Sequence, residues 1–165
     1  MEFVTSKDSI PIAYERCGEG LPLVLVHGAA ADHTRWTPIL QDLEKYFTVY
    51  AVERRGRGQS GDAELYTLEH EYEDVVAVVD SIPAPGNLLG HSFGALCSLE
   101  ASLKTSNLRR LILYEPPLSI GVKRNYPSNA VDRMNSHLYV GDREKALLIF
   151  LQEIVGIPQN EMNML

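Results

Sequence analysis

"NLLGHSFGALCSLEAS" (residues 87–102) sets Ser92 at the junction of two hydrophobic patterns. The short apolar run before the serine suits a buried strand, and "FGALCSLEASLK" after it suits a helix. Gly90 and Gly94 stand two residues to either side, so Gly90-His91-Ser92-Phe93-Gly94 matches Gly-x-Ser-x-Gly. A strand that turns sharply into a helix crowds the residues two before and two after the turn. Glycine at both places removes that collision. The hydroxyl is thereby lifted clear of the sheet edge at the positive end of a helix, where negative charge on a substrate oxygen is stabilised. Glycine makes up about 7% of ordinary proteins, so the pentapeptide alone is weak evidence. Its place between strand and helix gives it weight.

The same strand character recurs on both sides of this stretch. "LPLVLVHG" (21–28) is apolar at nearly every position, as expected of a strand covered on both faces, and "FTVYAVE" (47–53) and "LRRLILYE" (108–115) repeat it. "EFVTS" and "IPIAYERC" alternate around Lys7-Asp8-Ser9 and predict an antiparallel hairpin. Helical signals lie between the strands. Thr37 reads as an N-cap with Pro38 at the first helical position, followed by a stripe of Ile39, Leu40, Leu43 and Phe47. A second helix opens at Thr67 with Glu69, Glu71 and Glu73 near its positive end. Leu68, Tyr72, Val75, Val76, Val79 and Ile82 follow at helical spacing, and Pro83-Ala84-Pro85-Gly86 stops it. A third helix runs from about Phe93 to Lys104. This alternation predicts an α/β fold, a mostly parallel, doubly wound sheet with helices on both faces. After Pro116-Pro117 only helical stretches appear, such as "DREKALLIFLQEIVG" with Asp142 as cap, which divides the chain into residues 1–117 and 118–165.

Composition narrows the function classes. A chain of 165 residues with 45% hydrophobic and 22% charged residues supports one core of ordinary soluble character. No run reaches the length of a membrane span, and "MEFVTSKDS" lacks a signal-peptide pattern, so a cytoplasmic location without a membrane partner is expected. The net charge of -7 argues against nucleic acid. "RRGRG" (54–58) accordingly reads as a basic, Gly-rich loop in preference to a phosphate contact. Cys17 and Cys97 read as small buried apolar groups. No Cys/His spacing suggests zinc, and no metal or organic cofactor is indicated.

A second constellation joins Ser92. "LVLVHGAA" ends another central strand in His27-Gly28-Ala29-Ala30, at the same carboxyl edge of the sheet. Acyl transfer needs two backbone N–H donors converging on the oxyanion, one after the nucleophile and one from such a loop. Phe93 and Ala29 are the candidates, and the small Ala29 side chain leaves room for a substrate.

With "VHGAA", "ERRGRGQSGD" and "LLGHSFGA" in that order, the chain resembles the serine-nucleophile branch of the α/β-hydrolase superfamily. The resemblance covers residues 1 to about 117, and the remainder resembles the start of a helical cap. Glu53 departs from it, since the family more often begins that loop with aspartate. The resemblance implies a serine hydrolase that takes a small-molecule ester, lactone or thioester through an acyl-enzyme. Carbon–carbon hydrolysis and perhydrolysis use the same serine and are not separated from it. His27 and His91 become structural neighbours of the site. From its own context His33, after the oxyanion loop, is either pocket-lining or a satisfied loop residue, His70 reads as a solvated residue early in a helix, and His137 lies in the cap. The family's catalytic histidine follows a later strand, so it is expected beyond Leu165. Glu115, at the end of its strand, is the candidate acid by analogy with the haloalkane-dehalogenase-like branch; its other reading is an exposed strand-end charge. The resemblance also places the 108–114 strand inside a wider sheet, which implies a longer enzyme, or self-association or a complementing chain at that edge. Tyr126, Met134, Tyr139 and Phe150 are either pocket-lining or cap core. The competing reading is a non-catalytic ligand-binding or interaction scaffold, or an inactive fragment, that keeps the fold without turnover.

Overall fold

A computed structural model describes residues 1–118 and 126–162, with the backbone only at 161. The chain divides into two compact units, Met1–Leu118 and Ser119–Leu165. In the first, β1 (Glu2–Thr5), β2 (Pro11–Cys17), β3 (Leu21–Val26), β4 (Phe47–Val52), β5 (Gly86–His91) and β6 (Leu108–Tyr114) form one sheet in the order β1-β2-β4-β3-β5-β6. The β1–β2 and β2–β4 pairings are antiparallel; β4–β3, β3–β5 and β5–β6 are parallel. This is the mostly parallel α/β sheet that the alternating pattern predicts.

Helices α1 (Thr37–Leu43), α2 (Leu68–Ser81) and α3 (Phe93–Ser102) connect the parallel strands. Alternation along β3 sorts the core into two layers. Val24 and Val26 join Val52, Leu88, Val75, Val78, Val79, Cys97 and Ala101, so α2 and α3 cover one face. Leu23 and Leu25 join Val49, Ala51 and Trp36, with Leu40 and Leu43 of α1 packed against them on the other face. The N-terminal hydroxyl of α2 behaves as read, because Thr67 Oγ1 accepts the His70 N–H at 3.3 Å.

Two local expectations change. Thr37 is the first residue of α1 and not its cap, because a 3-10 turn over His33–Trp36 runs directly into the helix. Phe47 leaves the helical stripe and opens β4. β6 is the last strand of the described sheet, with Ile112 and Tyr114 44% and 52% exposed.

The second unit holds α4 (Ala130–Tyr139), α5 (Arg143–Ile149), a π-helical turn (Phe150–Val155) and α6 (Gln159–Met162). Asp142 caps α5, its Oδ1 accepting the Lys145 N–H at 3.2 Å. Arg133 and Glu153 pair between α4 and the π turn. Tyr139 is 93% exposed. Residues 119–125 and 163–165, within the stretch read as a cap, lie outside the described residues. No helix among the described residues is long and apolar enough to cross a membrane.

Candidate active site

Ser92 joins β5 to α3 with φ 52° and ψ -122°, a conformation that side chains other than glycine rarely adopt. Such backbone costs roughly 1–3 kcal/mol and persists only where its surroundings hold it. Here the Ser92 N–H donates to the Tyr114 carbonyl at 2.9 Å, and the Ser92 carbonyl accepts from Ala95 N at 2.9 Å. The residue is half-buried, and its hydroxyl has no hydrogen-bond partner among the described residues.

Both flanking glycines are sterically required, for different reasons. A Cβ on Gly90 would fall 2.4 Å from the Gly94 carbonyl oxygen and 2.6 Å from Ala95 Cα, the crowding expected across the turn. A Cβ on Gly94 would instead fall 2.4 Å from the carbonyl oxygens of Val26 and His27, in β3 and the loop after it. The second glycine thus lets α3 approach β3, which the local pattern alone does not reveal.

The loop after β3 lies against the serine, because a Cβ built on Gly28 would sit 3.3 Å from Ser92 Cβ. His27 anchors this loop from inside. Its Nε2 accepts the Arg54 backbone N–H at 3.2 Å, so that nitrogen carries no proton in the neutral ring. Nδ1 is therefore the protonated nitrogen and donates to the Gly28 carbonyl at 2.8 Å. Arg54 Nη1 donates to the same carbonyl at 2.9 Å. Across a trans peptide the N–H points opposite to the C=O, so drawing the Gly28 oxygen inward turns the Ala29 N–H outward. Phe93, the first residue of α3, has an N–H with no intrahelical partner.

Burial pushes the His27 pKa from 6.5 down to about 4. An unfolded chain takes up a proton there between those two pH values, whereas the folded chain does not. Stability from this residue is therefore complete above the unfolded pKa and is lost as pH falls from 6.5 to 4, by about 3 kcal/mol in all. Urea unfolding at neutral pH and near the lower value measures the loss. His27→Gln, which does not titrate, should show a loss smaller by about 2–3 kcal/mol.

The basic, Gly-rich "RRGRG" loop spends two of its arginines inside the protein. Arg54 and Arg55 are 3% and 1% exposed in side chain and pair with Glu71 and Asp74 of α2. Their spacing on α2 brings both carboxylates to one face of the helix. Arg55 also reaches Asp8 at 2.9 Å, tying the first hairpin to α2. Glu53 is buried as well and accepts from Gln59 N and from the His33 ring, so the longer acid at this position holds the loop together.

The remaining candidates separate. Glu115 follows β6 with φ 50° and a side chain 69% exposed, its Oε2 3.7 Å from His91 Nε2. His91 meets Trp36 edge-on and lies tilted against Tyr114, and burial holds its pKa below the ordinary imidazole value. His70 is half-buried near Asp8, at 3.8 Å, and not solvated as its sequence context implied. His137 faces Asp142 at 3.5 Å. Cys17 and Cys97 are free thiols, and burial pushes Cys97 up to about 12. No cluster of metal-binding side chains occurs among the described residues.

Comparison with known proteins agrees with this architecture. Residues 23–155 match the family described as the alpha/beta hydrolase family. The chain is similar to the N-formylmaleamate deformylase of Pseudomonas putida, 34% identical over 115 residues that cover 67% of this chain and 43% of that protein. It is also similar to a pimeloyl acyl-carrier-protein methyl ester esterase of Aliivibrio salmonicida, 36% identical over 86 residues covering 52% of this chain and 32% of that one. A crystal structure of an alpha/beta hydrolase from Sphaerobacter thermophilus shares 36% identity and superposes with a TM-score of 0.90, covering 99% of this chain and 64% of that chain. The matches thus cover less than half the length of these two curated relatives. In sequence and in fold, the chain belongs to the alpha/beta hydrolase family.

Proposed function

We propose that Ser92 is the nucleophile of a hydrolase for small acyl compounds. Its oxygen attacks the acyl carbon, the N–H groups of Ala29 and Phe93 hold the resulting oxyanion, and the leaving group departs to give an acyl-enzyme that water clears. The observation that carries this reading is the conformation of Ser92 itself. A non-glycine residue at φ 52° and ψ -122°, with its hydroxyl unpartnered among the described residues and the Gly28 loop in contact, has no structural use for its strain.

This reading needs a general base, which the family resemblance assigns to a histidine after a later strand. His27 has both nitrogens committed to backbone groups, and none of the described histidines hydrogen-bonds the Ser92 hydroxyl. Glu115 remains the acid candidate by position, since it follows the residue whose carbonyl accepts the Ser92 N–H.

The scope covers esters, lactones and thioesters, as the sequence implies, and extends to N-acyl amides. One relative is named for N-formylmaleamate and another for a methyl ester. Maleamate carries a carboxylate, and this chain has a matching group. Arg57 is half-buried, its Nη2 is 3.4 Å from the Ala29 carbonyl, and it has no carboxylate partner among the described residues. An acyl substrate bearing a carboxylate therefore fits the site better than a neutral one.

A fluorophosphonate probe tests the reading on the protein as the cell makes it. Covalent labelling at Ser92, slowed by carboxylate-bearing acyl compounds, is the expected result. Absence of labelling would favour the non-catalytic scaffold.

A further inference from the structure

Arg54 makes three charge-assisted hydrogen bonds from one flat guanidinium. Nε and Nη2 donate to Glu71 Oε2 and Oε1 at 2.9 and 2.6 Å. Nη1 donates to the Gly28 carbonyl at 2.9 Å. The face of the same group lies over the Phe93 ring, with Cζ 4.5 Å from its centroid. One buried side chain therefore touches both segments that carry the proposed oxyanion donors. Tyr66 completes the assembly by donating to Glu71 Oε1 at 2.9 Å, and burial beside that carboxylate pushes the phenol up to about 12.

Stability gives little account of this arrangement. A buried ion pair is commonly no more stabilising than an apolar pair of the same volume, because desolvation offsets the attraction. Geometry gives a better one. The Gly28 carbonyl accepts from His27 on one side, and a single bond leaves the 28–29 peptide free to rock about it. A second donor from another direction fixes the plane, and with it the direction of the Ala29 N–H. Glu71 sets the guanidinium fork so that its third donor is aimed at Gly28. A lysine ammonium is a point charge and cannot hold that bidentate pair and the carbonyl together.

We propose that Arg54, held by Glu71, is a positioning residue of the oxyanion hole. It orients the Gly28–Ala29 peptide and steadies Phe93, so that both N–H groups face the reacting oxygen before substrate arrives. The proposal rests on the reading of Ser92 as nucleophile. Its effect falls on the transition state and not on ground-state binding, because the donors are aimed at the oxyanion and not at the substrate carbonyl.

Arg54→Met alone would leave Glu71 buried without a partner and could prevent folding. The paired replacement Arg54→Met with Glu71→Leu removes both charges at similar volume and is the informative variant. Its unfolding midpoint should stay near that of the parent. Its kcat should fall about 10- to 100-fold with KM within about threefold, since an oxyanion donor is misplaced and not deleted. Amide relaxation dispersion should appear at Ala29, where the parent shows none. Arg54→Lys, with Glu71 retained, should restore neither reading fully. A folded paired variant with parental kcat, or an Ala29 amide as static as in the parent, overturns the proposal. If the parent itself shows no Ser92-dependent turnover, the nucleophile reading fails instead, and the relaxation measurement still decides whether Arg54 fixes the peptide.

Discussion

Replacing Ser92 by alanine should lower turnover at least about a thousandfold and abolish fluorophosphonate labelling, with the fold intact. The reason is local. The hydroxyl has no hydrogen-bond partner among the described residues, so deleting it removes no structural contact, while the backbone bonds of residue 92 to Tyr114 and Ala95 survive in alanine. Stability should therefore change by less than about 0.5 kcal/mol. Ser92→Gly provides the contrast. Glycine accepts a φ of 52° without strain, so this variant should be equally inactive and more stable than Ser92→Ala by about 1 kcal/mol. Activity assays with chemical denaturation of the three proteins check both statements. Residual activity in Ser92→Ala above about a tenth of the parent would move the nucleophile elsewhere.

The second large effect is on folding. Gly94→Ala puts a methyl group 2.4 Å from two carbonyl oxygens at the end of β3, which are backbone and cannot turn aside. Gly90→Ala meets the Gly94 carbonyl at 2.4 Å and Ser98 Oγ at 2.5 Å. Neither glycine has a positive φ, so conformational preference contributes little and the penalty is steric. Overpacking of this kind costs about 3 kcal/mol or more, a large part of the roughly 5–15 kcal/mol that holds a domain together. Gly94→Ala should be the worse of the two, because one of the Gly90 clashes is with a serine hydroxyl that can rotate. Urea midpoints give the ranking. A Gly94→Ala protein as stable as the parent would mean that α3 does not pack this closely on β3.

Much of this architecture was legible from local pattern. Continuous apolar runs marked β3 and β4, and the glycine-flanked serine marked the turn from β5 into α3. What escaped was long-range. Glu71 reads in sequence only as an acid near the positive end of α2, and Asp74 carries no reading there, yet they are 1% and 2% exposed and neutralise Arg54 and Arg55. A signal existed: both acids fall beside Val75 and Val78 on the apolar side of α2, where an unpaired charge would be costly. The role of Gly94 also escaped, because its crowding comes from β3, far away in the chain.

The account turns on whether the oxygen of a tetrahedral adduct at Ser92 meets two main-chain donors. A crystal structure of the fluorophosphonate adduct measures this directly. The account predicts phosphorus bonded to Ser92 Oγ, with the phosphonyl oxygen about 3 Å from the amide nitrogens of both Ala29 and Phe93. An adduct on another residue, or a phosphonyl oxygen turned to solvent with those amides aimed elsewhere, would contradict it.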